Sequence, residues 1–269
     1  MEGDLAALGG CASSGSDDQG AGDEGGRIVC GRCDRPASAC LCDALPDEPI
    51  RLERGCGVIV LQHPNERKRK LATVPVLTKA LGSCDVLVGR KFRAGQEPVL
   101  DEAYRSAREG GADVFVLYPG PGARDLAREV AAVPRRPWTL VAIDGTWQQA
   151  KEMFKTNEDV LLPAGVPSAR RVSLRPPEGG IRMPLRTEPE RGCMTTMEAV
   201  ASALGVLSDA PDLEPRILAP LAKLYGVQKG FSPSLKARAE RGIDYKGSRR
   251  QRLVAGGGGG GDGGGDDDE

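Results

Sequence analysis

Apolar residues along the chain fall into short runs that polar and turn-forming segments separate. The most informative run, residues 139–143, consists of five apolar or β-branched residues and leads directly into Asp144, Gly145 and Thr146. An uninterrupted run of this length between turn residues is typical of a strand buried on both faces. The following residues fit the first turn of a helix, so the sequence places Asp144 at the carboxyl end of a parallel strand.

Further strand-like runs alternate with helix-like segments. The pattern predicts strands at residues 57–63, 85–89, 113–120 (with an exit turn), 139–144 and 170–174, and helices at residues 73–81, 101–109, 146–155, 195–207 and 214–227. Such alternation is typical of an α/β domain with a mostly parallel sheet. Open sheets of this kind bind ligands at the carboxyl ends of their strands, so we expect His63, Tyr118 and Asp144 to meet at one edge.

Asp144 allows two interpretations. It fits a helix N-cap, whose side chain accepts a hydrogen bond from a free backbone N–H. A carboxylate at the carboxyl edge of a parallel sheet also fits a substrate contact. The neighbouring residues favour the second interpretation, since Thr146 adds a hydroxyl and Trp147 adds a large flat face.

Composition separates a folded centre from two tails that we expect to be disordered. Residues 1–26 and 256–269 hold eleven of the 38 acidic residues and none of the 37 basic ones, and they lack the apolar surface needed to fold. Residues 27–255 therefore hold 37 basic against 27 acidic residues, a net charge of +10. This excess favours a polyanionic partner, although a solvated basic surface is also compatible with it. Between the tails we expect a small cysteine module at residues 27–48, a main domain at 49–230 and a basic extension at 231–255.

The start of the chain has neither the basic nor the apolar region of a secretory signal, and no run is long enough to span a membrane. We therefore expect an intracellular protein, in the cytoplasm or the nucleus, whose thiols are reduced. Four of the eight cysteines have the spacing C-x2-C-x6-C-x-C: Cys30, Cys33, Cys40 and Cys42. Four clustered thiolates suit one tetrahedral zinc ion, and this closed site would be structural, although unliganded thiols remain an alternative.

Two basic segments are candidates for contact with RNA. The first follows the only histidine, His63, and consists of Arg67, Lys68, Arg69 and Lys70; the second includes Lys246, Arg249, Arg250 and Arg252. Clustered cations bind the phosphate backbone of nucleic acids, but they also serve as nuclear-import signals or are simply solvated. A lone histidine is more often a structural hydrogen-bonding residue than a catalyst, and we place His63 with the first basic segment as a candidate contact with RNA.

Two other segments have the form of ligand-binding turns. The glycine in residues 117–120 permits close approach of the backbone to a ligand, although the surrounding prolines are also consistent with a plain turn. Arg191 precedes Thr195, Thr196 and Glu198 at the predicted start of a helix, where free N–H groups and the helix dipole suit a carboxylate. The Thr-x-x-Glu spacing also has the form of a capping box.

Together these motifs resemble the DTW-domain family of tRNA-uridine aminocarboxypropyltransferases. The resemblance runs from Cys30 to about Tyr225 and keeps the family's order of motifs. That order is the cysteine cluster, His63-Pro64 with Glu66, Tyr118-Pro119-Gly120, Asp144-Gly-Thr-Trp147 with Ala150, and Arg191 ahead of Thr195-Thr196 and Glu198-Ala199. Met194-Thr195-Thr196 stands where the family usually has Leu-Ser-Thr, which keeps a hydroxyl.

The resemblance implies a SPOUT-like α/β fold with a knotted C-terminal half. It also implies S-adenosylmethionine as donor and transfer of its 3-amino-3-carboxypropyl group to the imide nitrogen of a tRNA uridine. The implied catalytic residues are Asp144, Thr146 and Trp147, and the implied donor contacts are Leu117, Tyr118, Pro119, Gly120, Gly145, Arg191, Thr195, Thr196 and Glu198. In this scheme Asp144 is the base, Trp147 stacks on adenine or uracil, and Arg191 pairs with the donor's carboxylate.

Three other functions fit many of the same residues. A methyltransferase of the same fold would use the same donor and RNA. A ribosomal-RNA aminocarboxypropyltransferase is a nearer alternative, but the cysteine cluster and Asp144-Gly-Thr-Trp147 favour the tRNA branch. A non-catalytic zinc-containing RNA-binding protein would need neither Asp144 nor Trp147.

Overall fold

The computed structural model of the protein describes residues 28–69, 71–175, 194–233 and 236–237. Both acidic tails and most of the predicted basic extension lie outside the described residues. Within the described part, no helix combines the length and the apolar composition that a membrane crossing requires.

The described residues form an α/β domain. Its elements are β1 (Gly57–Gln62), α1 (Val74–Ala80), β2 (Cys84–Val88), α2 (Pro98–Arg108), β3 (Asp113–Leu117), β4 (Arg124–Asp125), α3 (Leu126–Ala132), β5 (Trp138–Asp144), α4 (Trp147–Thr156), α5 (Glu158–Leu161), β6 (Ala169–Ser173), α6 (Thr196–Leu207) and α7 (Leu213–Phe231). Short 3-10 turns lie at Ala37–Ala39 and Glu66–Lys68. All five predicted strands and all five predicted helices are present, with ends shifted by a few residues.

One six-stranded sheet has the order β2-β1-β5-β3-β6-β4, and every pairing in it is parallel. The predicted parallel sheet is therefore confirmed. In the register of the sheet, Gln62 at the end of β1 lies beside Val88 of β2 on one side and Asp144 of β5 on the other. The carboxyl ends of these three neighbouring strands thus reach the same edge.

Helices cover both faces of the sheet, which explains why its central strands are almost continuously apolar. Alternate residues of β1 point to opposite faces: Val58 and Val60 pack with α1, α3, α6 and α7, whereas Ile59 and Leu61 pack with α2, α4 and α5. Each of these four side chains is at most 2% exposed. The two apolar layers hold the sheet rigidly and leave its carboxyl edge to carry polar side chains.

The sequence pattern missed three short elements: β4, α3 and α5. Helix α3 has only seven residues, and α5 has four, so neither develops the repeated apolar spacing that identifies a longer helix. The N-cap of α3 is Asp125, whose side chain accepts a hydrogen bond from the backbone N–H of Arg128. A local cap therefore starts this helix. In a segment rich in proline and glycine such a cap is a weak sequence signal.

The cysteine module packs against the main domain. Cys33 and Leu45 form a small apolar cluster with Ala80 of α1. Lys79 donates a hydrogen bond to the backbone carbonyl of Arg32 over 2.9 Å. These contacts fix the module against α1.

Candidate active site

Asp144 lies at the last position of β5, at the carboxyl edge of the sheet, and its side chain is buried. The amide Nε2 of Gln62 donates a hydrogen bond to Asp144 Oδ2 over 2.9 Å, and the hydroxyl of Thr196 donates one to Asp144 Oδ1 over 2.6 Å. Each oxygen of an ionised carboxylate can accept about two hydrogen bonds. Both oxygens of Asp144 are therefore fixed in orientation and retain capacity to accept a proton from a substrate.

The interpretation of Asp144 as an N-cap is wrong. Helix α4 is capped instead by Thr146, whose Oγ1 accepts a hydrogen bond from the N–H of Gln149 over 3.3 Å. Gln149 Oε1 accepts in return from the N–H of Thr146 over 2.8 Å, which completes a capping box. Asp144 therefore does not cap α4, and its side chain accepts hydrogen bonds from Gln62 and Thr196 instead.

The start of α6 holds the predicted capping box. Thr195 Oγ1 accepts from the N–H of Glu198 over 3.2 Å, and Glu198 Oε2 accepts from the N–H of Thr195 over 2.9 Å. The two side chains are buried at this helix end. Capping by Thr195 and Glu198 is therefore confirmed, whereas their contact with a donor stays a prediction. The adjacent Thr196 is the residue that reaches Asp144.

Tyr118 begins the turn after β3, and its ring stacks on Phe154 of α4 with centroids 4.3 Å apart and planes 12° apart. The guanidinium of Arg171 lies over both rings, 4.6 Å from the Phe154 centroid and 5.0 Å from the Tyr118 centroid. Such cation–π contacts stabilise the guanidinium of Arg171 in this position. The three side chains link β3, α4 and β6 at the site.

Arg171 also fixes the turn itself. It donates hydrogen bonds to the backbone carbonyls of Tyr118 over 2.9 Å, Pro119 over 2.5 Å and Pro121 over 3.0 Å. Gly120 has φ +124°, and a Cβ atom there would lie 2.5 Å from Arg171 Nη2. Glycine is therefore required at position 120 both for its backbone conformation and for this close approach.

His63 is buried directly after β1, and its backbone N–H donates to the carbonyl of Asp144 over 2.8 Å. The ring Nδ1 accepts from the N–H of Asn65 over 3.2 Å. Burial lowers the pKa of His63, and the positive charges of Arg90 and Arg69 lower it further against an opposing effect of Glu152. These contacts give His63 a structural place in the site, and its predicted contact with RNA stays a prediction.

Other predicted site residues differ in accessibility. Arg67 and Lys68 are exposed, whereas Arg69 pairs with the buried Glu66 over 3.1 Å. Trp147 opens α4 with 42% of its surface exposed, so much of its indole is available to a ligand. Residues predicted as contacts that lie outside the described residues are Lys70, Arg191, Lys246, Arg249, Arg250 and Arg252.

The four clustered cysteines can hold a metal ion. Their Sγ atoms all lie within 4.8 Å of one another, with Cys30 and Cys42 3.4 Å apart and Cys33 and Cys40 3.7 Å apart. Zinc–sulfur bonds of about 2.3 Å in a tetrahedron place sulfur atoms about 3.8 Å apart. Hydrogen bonds from the backbone N–H groups of Cys33 and Arg32 lower the pKa of Cys30 to about 6, whereas the hydrogen bond with Cys30 and burial raise the pKa of Cys42 to about 12, so the first thiolate of this pair forms on Cys30. The donor set and its dimensions thus fit zinc.

Sequence reasoning missed Gln62, Phe154 and Arg171. Gln62 had the clearest signal, because it is the last residue of the predicted strand 57–63 before His63. Phe154 follows Trp147 by seven residues, and Arg171 lies within an apparently ordinary strand. Their roles depend on the order of the strands in the sheet, which the apolar pattern does not give.

Comparison with known proteins places the chain in a family. The family model described as the DTW domain matches residues 27–229. The chain is 33% identical over 204 residues to tRNA-uridine aminocarboxypropyltransferase 2 of Mus musculus, a match that covers 75% of this chain and 64% of that protein. It is 34% identical over 205 residues to the Drosophila melanogaster protein of the same name, with 74% of each chain covered.

A plant relative shows similar identity over a longer match. The chain is 31% identical over 234 residues to tRNA-uridine aminocarboxypropyltransferase A of Arabidopsis thaliana, with 79% of this chain and 85% of that protein covered. No solved structure matches the chain. The motif order, the family model and these relatives agree, and the chain belongs to the DTW domain family.

Proposed function

We propose that this protein transfers the 3-amino-3-carboxypropyl group of S-adenosylmethionine to the imide nitrogen of a tRNA uridine and releases methylthioadenosine. The observation that carries the proposal is the buried carboxylate of Asp144, oriented by Gln62 and Thr196 at the carboxyl edge of the sheet. The name tRNA-uridine aminocarboxypropyltransferase, borne by relatives that match most of this chain, supports the same activity.

Asp144 acts as the general base in this scheme. The uridine imide is weakly acidic, and a carboxylate within hydrogen-bond reach accepts its proton as the nitrogen attacks. The new C–N bond forms as the C–S bond breaks, and the electron pair leaves on the sulfur of methylthioadenosine. A sulfonium makes all its attached carbons electrophilic, so positioning decides which carbon meets the nitrogen.

Residues around Asp144 supply that positioning. Helices α4 and α6 both begin beside it, since Thr146 caps α4 and Thr196 opens α6. Their N-terminal dipoles favour the donor's carboxylate. The backbone of residues 117–120 approaches the donor where Arg171 holds the turn, and the exposed indole of Trp147 stacks on a base. Arg191 pairs with the donor's carboxylate in this scheme.

A zinc ion bound by Cys30, Cys33, Cys40 and Cys42 has a structural role in this proposal. Four protein ligands leave a tetrahedral metal no open position for a substrate. The metal would then cross-link the module at residues 27–48, and this module would support the catalytic domain at 49–230. Lys79 and Lys223 support this arrangement by pairing with Asp34 and Asp43 of the module.

A SPOUT-like arrangement of the catalytic domain accords with its topology. After β6 the chain returns so that α6 contacts β5 and brings Thr196 to Asp144. In the proposed SPOUT-like fold the C-terminal half is knotted, and knots are rare in proteins. An experimental structure with bound S-adenosylmethionine, traced from β6 to α6, tests the knot.

Mass spectrometry of nucleosides tests the activity. Unmodified tRNA is incubated with S-adenosylmethionine and the wild-type protein, Asp144→Asn, or the control Asp85→Asn, which changes an exposed carboxylate in β2. We expect aminocarboxypropyluridine and methylthioadenosine from the wild type and the control only. A methylated nucleoside with adenosylhomocysteine would establish a methyltransferase instead. Absence of any product, together with no thermal shift by the donor, would favour a non-catalytic RNA-binding protein.

A further inference from the structure

The loop after β2, residues 89–93, carries three cations at the carboxyl edge of the sheet: Arg90, Lys91 and Arg93. All three are exposed, and none forms an ion pair with a described residue. Elsewhere in the described chain, exposed arginines often have partners: Arg105 pairs with two glutamates and Arg135 pairs with Asp209. The positive charge of this loop is therefore not neutralised by nearby carboxylates of the described chain.

Buried contacts fix the loop in place. The side chain of Asn157, which is 1% exposed, accepts a hydrogen bond from the N–H of Phe92 over 2.7 Å and donates one to the carbonyl of Arg90 over 2.9 Å. Phe92 follows Lys91 and precedes Arg93 in the sequence, and its ring is buried in the core. The N–H of Gly89 donates to the carbonyl of Gln62 over 3.1 Å. A loop whose backbone is anchored in this way keeps its cations in one region of the surface and loses little backbone entropy when it binds a ligand.

The loop also lies close to Asp144. In the sheet register, Val88 lies beside Gln62, and Gln62 lies beside Asp144. Neighbouring strands are about 4.8 Å apart, so the loop leaves β2 about 10 Å from the backbone of Asp144. The charge of Arg90 reaches the site, because it contributes to lowering the pKa of His63. Arg67 and Lys68, exposed after β1, lie on the intervening strand end.

We propose that Arg90, Lys91 and Arg93 form a phosphate-binding surface for the tRNA backbone next to the target uridine, an inference that rests on the proposed function. A polyanion reaching Asp144 passes a row of unneutralised cations, and each phosphate contact releases a counterion. The surface binds the backbone rather than the bases, because point charges read no sequence. The loop extends the exposed cations Arg67 and Lys68, which belong to the predicted basic segment at residues 67–70, across a second strand end.

Charge neutralisation with a matched control tests this surface. The loop variant is Arg90→Gln, Lys91→Gln and Arg93→Gln. The control variant, Arg51→Gln, Arg54→Gln and Arg108→Gln, removes three exposed cations near the amino ends of β1 and β3, at the opposite edge of the sheet. Both variants change the net charge equally and affect side chains without a described ion pair. Binding of the full-length protein to fluorescent unmodified tRNA is measured at about 50 to 200 mM salt. Contacts between cations and phosphates weaken strongly over this range.

We expect the loop variant to bind tRNA on the order of tenfold more weakly and to lower the salt slope by about two to three, with the control near wild type. Its thermal shift with S-adenosylmethionine remains that of the wild type, which verifies the fold and donor site. Each single substitution lowers the slope by about one. Equal weakening in loop and control variants, or no weakening in the loop variant, overturns the proposal.

The same titration separates this proposal from the proposed function. If the wild type modifies and binds tRNA but the loop variant binds equally well, only the loop assignment fails. If the wild type binds no tRNA at any salt concentration, the proposed function fails and the loop proposal fails with it.

Discussion

The hydroxyl of Thr196 donates a hydrogen bond to Oδ1 of Asp144 over 2.6 Å, although 52 positions separate the two residues. Thr196 is the first residue of α6 and Asp144 is the last residue of β5, so the bond joins the C-terminal half of the domain to the sheet edge. Gln62 holds the other oxygen of the same carboxylate. The site therefore depends on three elements meeting in one register.

Thr196→Val removes the hydroxyl at almost constant volume. We expect kcat to fall on the order of tenfold or more, because a hydrogen bond to a charged group contributes roughly 1.5–3 kcal/mol. The affinity for tRNA changes little, and a parallel rise in the KM for the donor would report the donor contact that the resemblance implies for Thr196. Steady-state kinetics with each substrate varied in turn measure this separation. Thr196→Ser keeps the hydroxyl and retains activity; a Ser variant as slow as Val would contradict the assignment.

Gln62→Glu replaces a hydrogen-bond donor beside Asp144 by a second carboxylate. Two carboxylates within hydrogen-bond distance hold one proton between them, so the acidic limb of the pH–rate profile moves to higher pH. Ser208→Glu adds one negative charge at the opposite end of α6 from Thr196, about 18 Å along the helix axis, and leaves the profile in place. Profiles of kcat against pH are measured for the wild type, Gln62→Glu and the control variant. A Gln62→Glu profile that superimposes on that of the wild type would show that Gln62 does not influence the base.

The sequence predicted the strand that ends at Asp144 and the edge at which His63 and Tyr118 join it, because both follow from apolar runs and a parallel sheet. It did not predict that Gln62 and Thr196 hold the carboxylate. That arrangement depends on β1 lying beside β5, which the crossover connections determine and the apolar period does not. Asp144 also fitted an N-cap in the sequence because Thr146, the residue that caps α4, lies only two positions later.

Gly120→Ala tests the close contact between the turn and Arg171. The new Cβ would lie 2.5 Å from Arg171 Nη2, so the guanidinium must move and its bonds to the turn weaken. We expect the KM for the donor to rise on the order of tenfold. Gly122→Ala is the matched control: its φ of +81° is also positive, but no atom lies within 4 Å of the new Cβ. Donor titration measures the rise in KM in each variant, and a larger rise in Gly120→Ala reports the loss of the Arg171 contact. An equal rise in the two variants would mean that backbone strain alone causes it.

The zinc assignment predicts about one zinc ion per chain by elemental analysis. Cys33→Ser removes a buried ligand, so we expect loss of the metal and a lower Tm, because binding of a structural metal stabilises the folded state. Cys56→Ser, outside the cluster, retains the metal. Removal by a chelator lowers the Tm of the wild type in the same way. Two results together would contradict the assignment: wild-type protein purified with reduced thiols contains no zinc, and a chelator leaves its Tm unchanged.

His63 predicts a dependence of stability on pH. Burial and the nearby cations lower its pKa below the ordinary value of 6.5. Between the two pKa values the unfolded chain binds more protons than the folded chain, so the free energy of unfolding decreases as the pH falls from about 6.5. His63→Gln removes the titrating ring and keeps an acceptor for Asn65, so the Tm of this variant falls less steeply than that of the wild type between pH 7.5 and 5.5. Thermal melts across that range measure the difference between the two slopes. Parallel slopes would show that His63 is protonated without cost, and therefore that its ring is solvated in the folded protein.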